Sequence, residues 1–261
     1  MPYFQTNDQV SLYFEKEGKG EALVFIHPPG MGSVTFFYQR ELSEYFQVIT
    51  PDLRGNGQSK PGKKKITISL LSKDINELTE HLGIEKIVLC GYSSGGSIAQ
   101  ELAIVYPEKV KGIILIGGFP EVSTRLLEAE FMAGIALTGI GGLPILSKMI
   151  SIGHGNSIEL KKKLEDYMNK TDPYSLFQLY KAGFLYHCTK SLNKIKAPLL
   201  LVYGNRDPFC QAYEILYKKY VKNVKTVFIN KANHQIPTKF SQELNAIIKE
   251  FMKELSMKEV K

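Results

Sequence analysis

The sequence predicts an α/β domain with a mostly parallel central sheet, helices on both faces and one long helical insertion. Two observations predict this fold class. Short apolar runs alternate with segments of helical length, and this alternation stops for about 70 residues after Gly117-Gly118. Strand–helix alternation places helices on both faces of a parallel sheet. A chain of 261 residues is long enough for one such domain with an insertion.

Each predicted strand is a short run rich in branched apolar residues, which is typical of strands buried on both faces. Two short strands lie within 3–16, joined by the turn-forming Asn7-Asp8, and the others are predicted at 22–27, 47–51, 86–90, 110–116, 198–203 and 224–229. Apolar residues at helical spacing predict helices at 33–46, 67–82, 94–106, 209–221 and 239–256.

The break in the alternation divides the chain into two parts. Residues 1–118 and 191–261 form the predicted core, and residues 119–190 form the predicted helical cap. Within the cap, residues 131–147 carry no charge but include four glycines and a proline. The stretch is too short for a membrane span and a poor helix through its middle, so we expect a buried or ligand-facing segment.

Composition excludes several classes of function. The net charge is +7, but only four residues are Arg and the lysines are scattered along the chain, so we expect no nucleic-acid partner. The three cysteines are far apart and lack metal-ligand spacing, which suits free thiols in a reducing compartment. Because the first residues lack a signal pattern, we expect a cytoplasmic protein with no transmembrane segment.

The segment from Gly91 to Gly96 reads Gly-Tyr-Ser-Ser-Gly-Gly and matches G-x-S-x-G. It lies between a predicted strand and a predicted helix, which is the context that this motif requires. A sharp turn there would expose the Ser93 hydroxyl beside the positive end of a helix dipole. The pattern predicts Ser93 as a nucleophile; the alternative is a glycine-rich turn with an incidental serine.

A serine nucleophile needs a base and an acid that orients the base. Of the five histidines, only His234 follows the last predicted strand, whereas His27 ends a strand and is expected to be structural. Asp207 directly follows the penultimate strand, and the chain order is then Ser, Asp, His. Asp207 could also cap a helix, and Glu121 is the reserve acid.

With these residues in place, the chain resembles the α/β-hydrolase superfamily along nearly its whole length. The similarity rests on His27-Pro28-Pro29-Gly30-Met31-Gly32, the segment from Asp52 to Ser59, the turn at Ser93, and the loops that hold Asp207 and His234. It is closest to small bacterial cap-bearing, esterase-like members, and it implies the α/β-hydrolase fold. Asn56 stands where the family usually has His, a change expected to be structural.

The resemblance also implies an oxyanion hole made of two backbone N–H groups, one from Ser94 and one from the position of Pro29. Proline has no N–H, so we expect Gly30 to supply the second donor; otherwise only one donor remains. Losing one donor costs about 3–4 kcal/mol in a well-studied protease.

The implied reaction is acyl transfer to water from a small or medium ester, thioester or lactone, without metal or organic cofactor. The apolar cap suggests an apolar small-molecule substrate, with Phe131, Ile135 and Phe177 as candidate contacts. Two alternatives stay open because fold does not determine function. One is other serine chemistry, namely carbon–carbon bond hydrolysis, perhydrolysis or peptide release. The other is a ligand-sensing or partner-activating protein with vestigial hydrolysis.

Overall fold

The computed structural model describes residues 2–259. Their strands are β1 (Tyr3–Gln5), β2 (Ser11–Glu17), β3 (Ala22–Ile26), β4 (Gln47–Pro51), β5 (Ile87–Tyr92), β6 (Val110–Ile116), β7 (Leu199–Gly204) and β8 (Val224–Ile229). They form one eight-stranded sheet in the order β1-β2-β4-β3-β5-β6-β7-β8. Only β1–β2 and β2–β4 pair antiparallel, so the sheet is mostly parallel as predicted.

The α-helices are α1 (Ile68–His81), α2 (Gly95–Val105), α3 (Arg125–Gly139), α4 (Leu143–His154), α5 (Ile158–Met168), α6 (Pro173–Leu185), α7 (Glu214–Tyr220), α8 (Ile236–Lys239) and α9 (Ser241–Glu259). Shorter 3-10 helices cover Ser33–Glu44, Thr189–Lys194 and Gln211–Tyr213. Within residues 2–259, no helix is both long enough and apolar enough to cross a bilayer.

Helices cover both faces of the sheet because each central strand buries side chains on both sides. Val24 of β3 packs in a core with α1 and α2, whereas the preceding residue, Leu23, packs in a second core with α9. Period-two alternation along a strand explains this division. The β5 strand is therefore held between two cores, and the turn that follows it has a rigid base.

Two predicted helices differ from the structure. The segment expected as a helix at 33–46 is a 3-10 helix with a kink at Phe36, and no side chain caps its start at Gly32. The helix expected at 209–221 begins as a regular α-helix only at Glu214. Asp207 Oδ1 accepts the Phe209 N–H at 2.8 Å, so the chain makes a tight turn before the helix can start.

Between β6 and β7 the chain forms four helices, α3 to α6, which we call the inserted helices. Three of them begin at residues whose side chains accept a backbone N–H: Thr124, Ser157 and Asp172. These are N-cap side chains. The β-structure in this segment, among the described residues, is an isolated bridge between Glu121 and His187.

Candidate active site

Ser93 lies in the sharp turn between β5 and α2, and its backbone has φ of 51°. This left-handed conformation is uncommon for a non-glycine residue and costs free energy. The Ser93 N–H donates to the Ile116 carbonyl at 2.8 Å, and the Gly96 N–H donates to the Ser93 carbonyl at 2.9 Å. These two bonds hold the turn, and the half-buried side chain of Ser93 faces a cavity.

The glycines of this turn are required by close approach of backbone atoms. A Cβ added to Gly95 would lie 2.2 Å from the Ile26 carbonyl oxygen, and one added to Gly91 would lie 2.5 Å from the Gly96 Cα. Neither distance can be tolerated, because non-bonded carbon contacts are optimal at about 3.5–4 Å. The motif is therefore a packing requirement of this turn.

The structure brings Asp207 and His234 together at the ends of β7 and β8. Asp207 is 1% exposed and His234 7%. The His234 Nδ1–H donates to Asp207 Oδ2 at 2.8 Å, which leaves Nε2 for the cavity. Asp207 thus both holds this imidazole and accepts the Phe209 N–H.

Asp207 also determines the basicity of His234. Burial alone would lower the pKa of His234, but the hydrogen bond and the charge of Asp207, with a smaller contribution from Glu130, raise it above the usual value. A raised pKa means that the imidazolium is stabilised. Glu121, the reserve acid, lies elsewhere and accepts a hydrogen bond from the Thr189 hydroxyl.

Ser93 and His234 line the same cavity, of about 80 Å³. In the part of the chain that the structure describes, no hydrogen bond joins the Ser93 hydroxyl to His234. Loose contacts of this kind are common in sites without substrate. Because both side chains line this cavity, the arrangement suits proton transfer from the serine to the imidazole.

The expected role of Gly30 as an oxyanion donor is wrong. The Gly30 N–H donates to the buried Asn56 Oδ1 at 2.7 Å, and the Met31 N–H donates to the Pro28 carbonyl at 3.3 Å. With Pro29 lacking an N–H, this loop offers no free backbone donor at these three positions. The Ser94 N–H has no acceptor among the described residues and opens the first turn of α2.

Asn56, which stands where the family usually has His, has the structural role that was expected. Its side-chain amide donates to the Arg54 carbonyl at 2.8 Å while its oxygen holds Gly30. His27 has a structural role as expected. Its Nε2 accepts the Leu53 N–H at 2.9 Å, and its Nδ1 lies 2.8 Å from the Pro28 carbonyl oxygen and 3.2 Å from the Gly32 backbone nitrogen.

Of the candidate substrate contacts, only Phe131 lines the cavity. Phe177 lies beside Gly139, away from Ser93, and Ile135 does not line the cavity either.

Five further residues of the cavity wall were not predicted from the sequence, namely Tyr92, Glu130, Ile150, His154 and Tyr180. Tyr92 is the variable position of G-x-S, and its ring lies 5.4 Å from that of His234. Glu130 immediately precedes the uncharged stretch 131–147, which is the one sequence signal that could have marked it.

Metal-binding side chains cluster at one place in residues 2–259. Ligand atoms of Asp207, Cys210 and His234 lie within 4.8 Å of one another. Burial holds the pKa of the Cys210 thiol well above its usual range. Binding an ion here would require a buried thiolate and loss of the Asp207–His234 bond, so the donor set suits proton transfer better than coordination.

Comparisons with known proteins agree with this architecture. The family model described as alpha/beta hydrolase fold matches residues 21–135. The chain is 24% identical to mouse serine hydrolase BPHL, covering 93% of this chain and 83% of that protein. It is 24% identical to 3-oxoadipate enol-lactonase 2 of Acinetobacter baylyi, covering 96% of this chain and all of that protein.

An esterase from Exiguobacterium antarcticum shares the fold, with a TM-score of 0.87 at 21% identity over 96% of this chain and 98% of the esterase. The sheet order, the strained turn after β5 and the family match lead to one assignment. The chain has the α/β-hydrolase fold, and its residues 21–135 match the family model of that fold.

Proposed function

We propose that the protein is a serine hydrolase that cleaves a small or medium carboxylic ester, thioester or lactone through an acyl-enzyme. The observation that carries the proposal is a strained, cavity-facing Ser93 that shares its cavity with an imidazole paired to a buried carboxylate. The names of relatives, a serine hydrolase, an enol-lactonase and an esterase, support ester hydrolysis at the level of the reaction class.

In the first half of the reaction, Ser93 Oγ attacks the carbonyl carbon while His234 Nε2 takes the hydroxyl proton. The Ser94 N–H stabilises the oxyanion, and Asp207 stabilises the imidazolium. The tetrahedral intermediate then collapses. The bond to the leaving alcohol or thiol breaks, and that group takes the proton from His234.

In the second half, His234 removes a proton from water, whose oxygen attacks the acyl carbon. Collapse of the second intermediate breaks the bond to Ser93 Oγ, which regains the proton, and the carboxylic acid leaves. No redox change occurs and no cofactor takes part in these steps.

The inserted helices form the substrate side of the site and act as the cap predicted over residues 119–190. The cavity at Ser93 adjoins a second one of about 300 Å³, and Glu130, Ile150, His154 and Tyr180 line both. Apolar side chains dominate the second cavity between α3 and α4, including Leu137, Leu146 and Met149. An acyl or alkyl chain of medium length fits there.

The test is hydrolysis of 4-nitrophenyl esters of increasing acyl length, with labelling by a fluorophosphonate read by mass spectrometry. Ser93→Ala should lower kcat/KM by at least about 10³-fold and abolish labelling. Ser97→Ala is the matched control, because this buried hydroxyl of α2 has no hydrogen-bond partner among the described residues. Labelling of another serine in the wild type would disprove the assignment.

The oxyanion loop favours a second candidate function, a ligand-sensing or partner-activating protein with vestigial hydrolysis. With the Gly30 N–H bound to Asn56, one backbone donor remains opposite the substrate carbonyl. Loss of one donor lowers kcat by about 10²–10³-fold in a serine protease. Slow turnover of activated esters with undiminished binding of the intact ester would support this candidate; fast turnover supports the hydrolase.

A further inference from the structure

The wall of the cavity at Ser93 contains a carboxylate without a protein partner. Glu130 of α3 lines both cavities described above. No hydrogen bond or ion pair to Glu130 occurs in the part of the chain that the structure describes. Glu130 is an exposed residue, yet partial burial raises the pKa of its carboxyl; the charge of His234 opposes this shift and the charge of Asp207 adds to it. A carboxylate at the wall of a cavity favours a cation as its partner and disfavours an anion.

The nearest imidazole outside the proposed triad does not supply that cation. His154 Nδ1 lies 3.0 Å from the Ile150 carbonyl, and Nε2 lies 2.9 Å from the Tyr92 hydroxyl. One nitrogen therefore donates and the other accepts, as in a neutral ring. Burial lowers the pKa of His154 to about 4, so the ring stays neutral at physiological pH.

Lysine and arginine are absent from the described residues that line the two cavities, although the chain has 33 of them. The cavity at Ser93, which Glu130 lines, is instead lined by aromatic rings. Tyr92, Phe131 and Tyr180 line the cavity at Ser93, and the Phe131 and Tyr180 rings lie 6.2 Å apart. Ring faces attract cations within about 6 Å, and aromatic cages bind ammonium groups. A carboxylate among such rings combines two features that favour a positive ligand.

We propose that the protein is selective for esters whose acyl or alcohol part carries a protonated amine, which Glu130 and the surrounding rings bind beside Ser93. This inference rests on the proposed ester hydrolysis and names the substrate class of the same site. The amine donates an N–H to the Glu130 carboxylate, and the remaining apolar part of the substrate occupies the cavity between α3 and α4. Anionic esters are repelled by the same carboxylate.

Two pairs of esters test the proposal, each differing only in charge. The first is 2-(dimethylamino)ethyl butyrate against its carbon isostere 3-methylbutyl butyrate, with the charge on the alcohol side. The second is valine methyl ester against methyl 2,3-dimethylbutanoate, with the charge on the acyl side. At neutral pH the wild type should prefer the cationic member of at least one pair by about 10- to 100-fold in kcat/KM, the range of a hydrogen bond to a charged group.

The variant Glu130→Gln keeps the shape of the side chain and removes its charge, so it should abolish that preference. Glu128→Gln is the matched control, since Glu128 is an exposed residue on another side of the same helix. Glu128→Gln should keep the wild-type ratio of kcat/KM between the cationic and the neutral ester. A preference that survives Glu130→Gln, or a wild type without preference in either pair, overturns the inference while ester hydrolysis stands.

A binding measurement keeps this inference separate from the proposed reaction. Calorimetry with 3-methylbutylammonium and the Ser93→Ala protein needs no turnover. Binding that falls at least about 10-fold when Glu130→Gln is added supports the cation site even if no ester is hydrolysed. Equal binding by both proteins, or no binding to either, overturns it.

Discussion

The position of His234 depends on a neighbouring glycine, and this dependence allows a sharp test of its role. Gly117 follows β6 with φ of +56°, and a Cβ added there would lie 2.6 Å from His234 Cε1 and 2.8 Å from Nδ1. Ordinary carbon contacts lie at about 3.5–4 Å, so Gly117→Ala must displace the ring by about 1 Å. Such a shift breaks the hydrogen bond between His234 and Asp207 and changes the position of the ring relative to Ser93.

The expected magnitude follows from that displacement. A misplacement of about 1 Å costs about 10²-fold in rate when proton transfer depends on alignment. Alanine with positive φ also costs about 1–2 kcal/mol of stability. Gly117→Ala should therefore lower kcat/KM for 4-nitrophenyl butyrate by about 100-fold and lower Tm by several degrees, by about 2–4 °C for each kcal/mol.

Gly83→Ala separates these two effects. Gly83 has φ of +67°, but a Cβ there meets nothing within 4 Å. Gly83→Ala should lower Tm about as much as Gly117→Ala does, but it should keep the wild-type kcat/KM. A folded Gly117→Ala protein with activity within about threefold of the wild type would refute the assignment of His234 as the base, because proton transfer would not tolerate the displacement.

Four other predictions concern the proposed triad and the inserted helices. Asp207→Asn should lower kcat by about 10⁴-fold, as in a protease with the same triad, because the amide no longer selects the Nδ1–H form; kinetics within tenfold of the wild type would contradict this. Because the pKa of His234 is raised, activity should rise with pH through a value above the usual one of about 6.5, since only the neutral ring accepts a proton. Glu130→Gln should move this rise in activity to lower pH, since Glu130 contributes to the raised pKa of His234. An unchanged pH–rate profile would exclude the effect. Residues 119–190 should exchange amide hydrogens faster than β5 and β6, and equal protection would argue against a mobile cap.

Local patterns were sufficient for the sheet and for the proposed catalytic residues. The apolar runs of β3, β5 and β7 are buried along their whole length, and β6 is buried except at Lys111, so their composition alone indicates strands. Side chains that follow parallel strands meet at one edge of the sheet. Chain order and strand ends therefore predicted that Asp207 and His234 lie together, without knowledge of any distance.

Local patterns failed where a distant partner decides the conformation. The segment 33–46 has helical composition, but its N-terminal residue Gly32 has no side chain, and the distant Asp52 accepts the Ser33 N–H instead. Its residues pack against the second core, and it adopts a kinked 3-10 helix. Similarly, the direction of the Gly30 N–H depends on Asn56, 26 residues later in the chain. The sequence shows that Pro29 has no N–H to donate, but it does not show which acceptor binds the N–H of Gly30.

The sequence by itself determined the fold class, the strained turn at Ser93 and the chain order of the proposed nucleophile, acid and base, because each depends on short-range spacing or on where a strand ends. Only the tertiary structure decided which groups surround them. Glu130, His154 and Tyr180 reach the cavity from three different helices inserted after β6. Their proximity to Ser93 is set by helix packing, whose geometry depends on side chains far apart in the chain. Local spacing thus specifies the turn that holds the proposed nucleophile, whereas long-range contacts place the groups that are proposed to select its substrate.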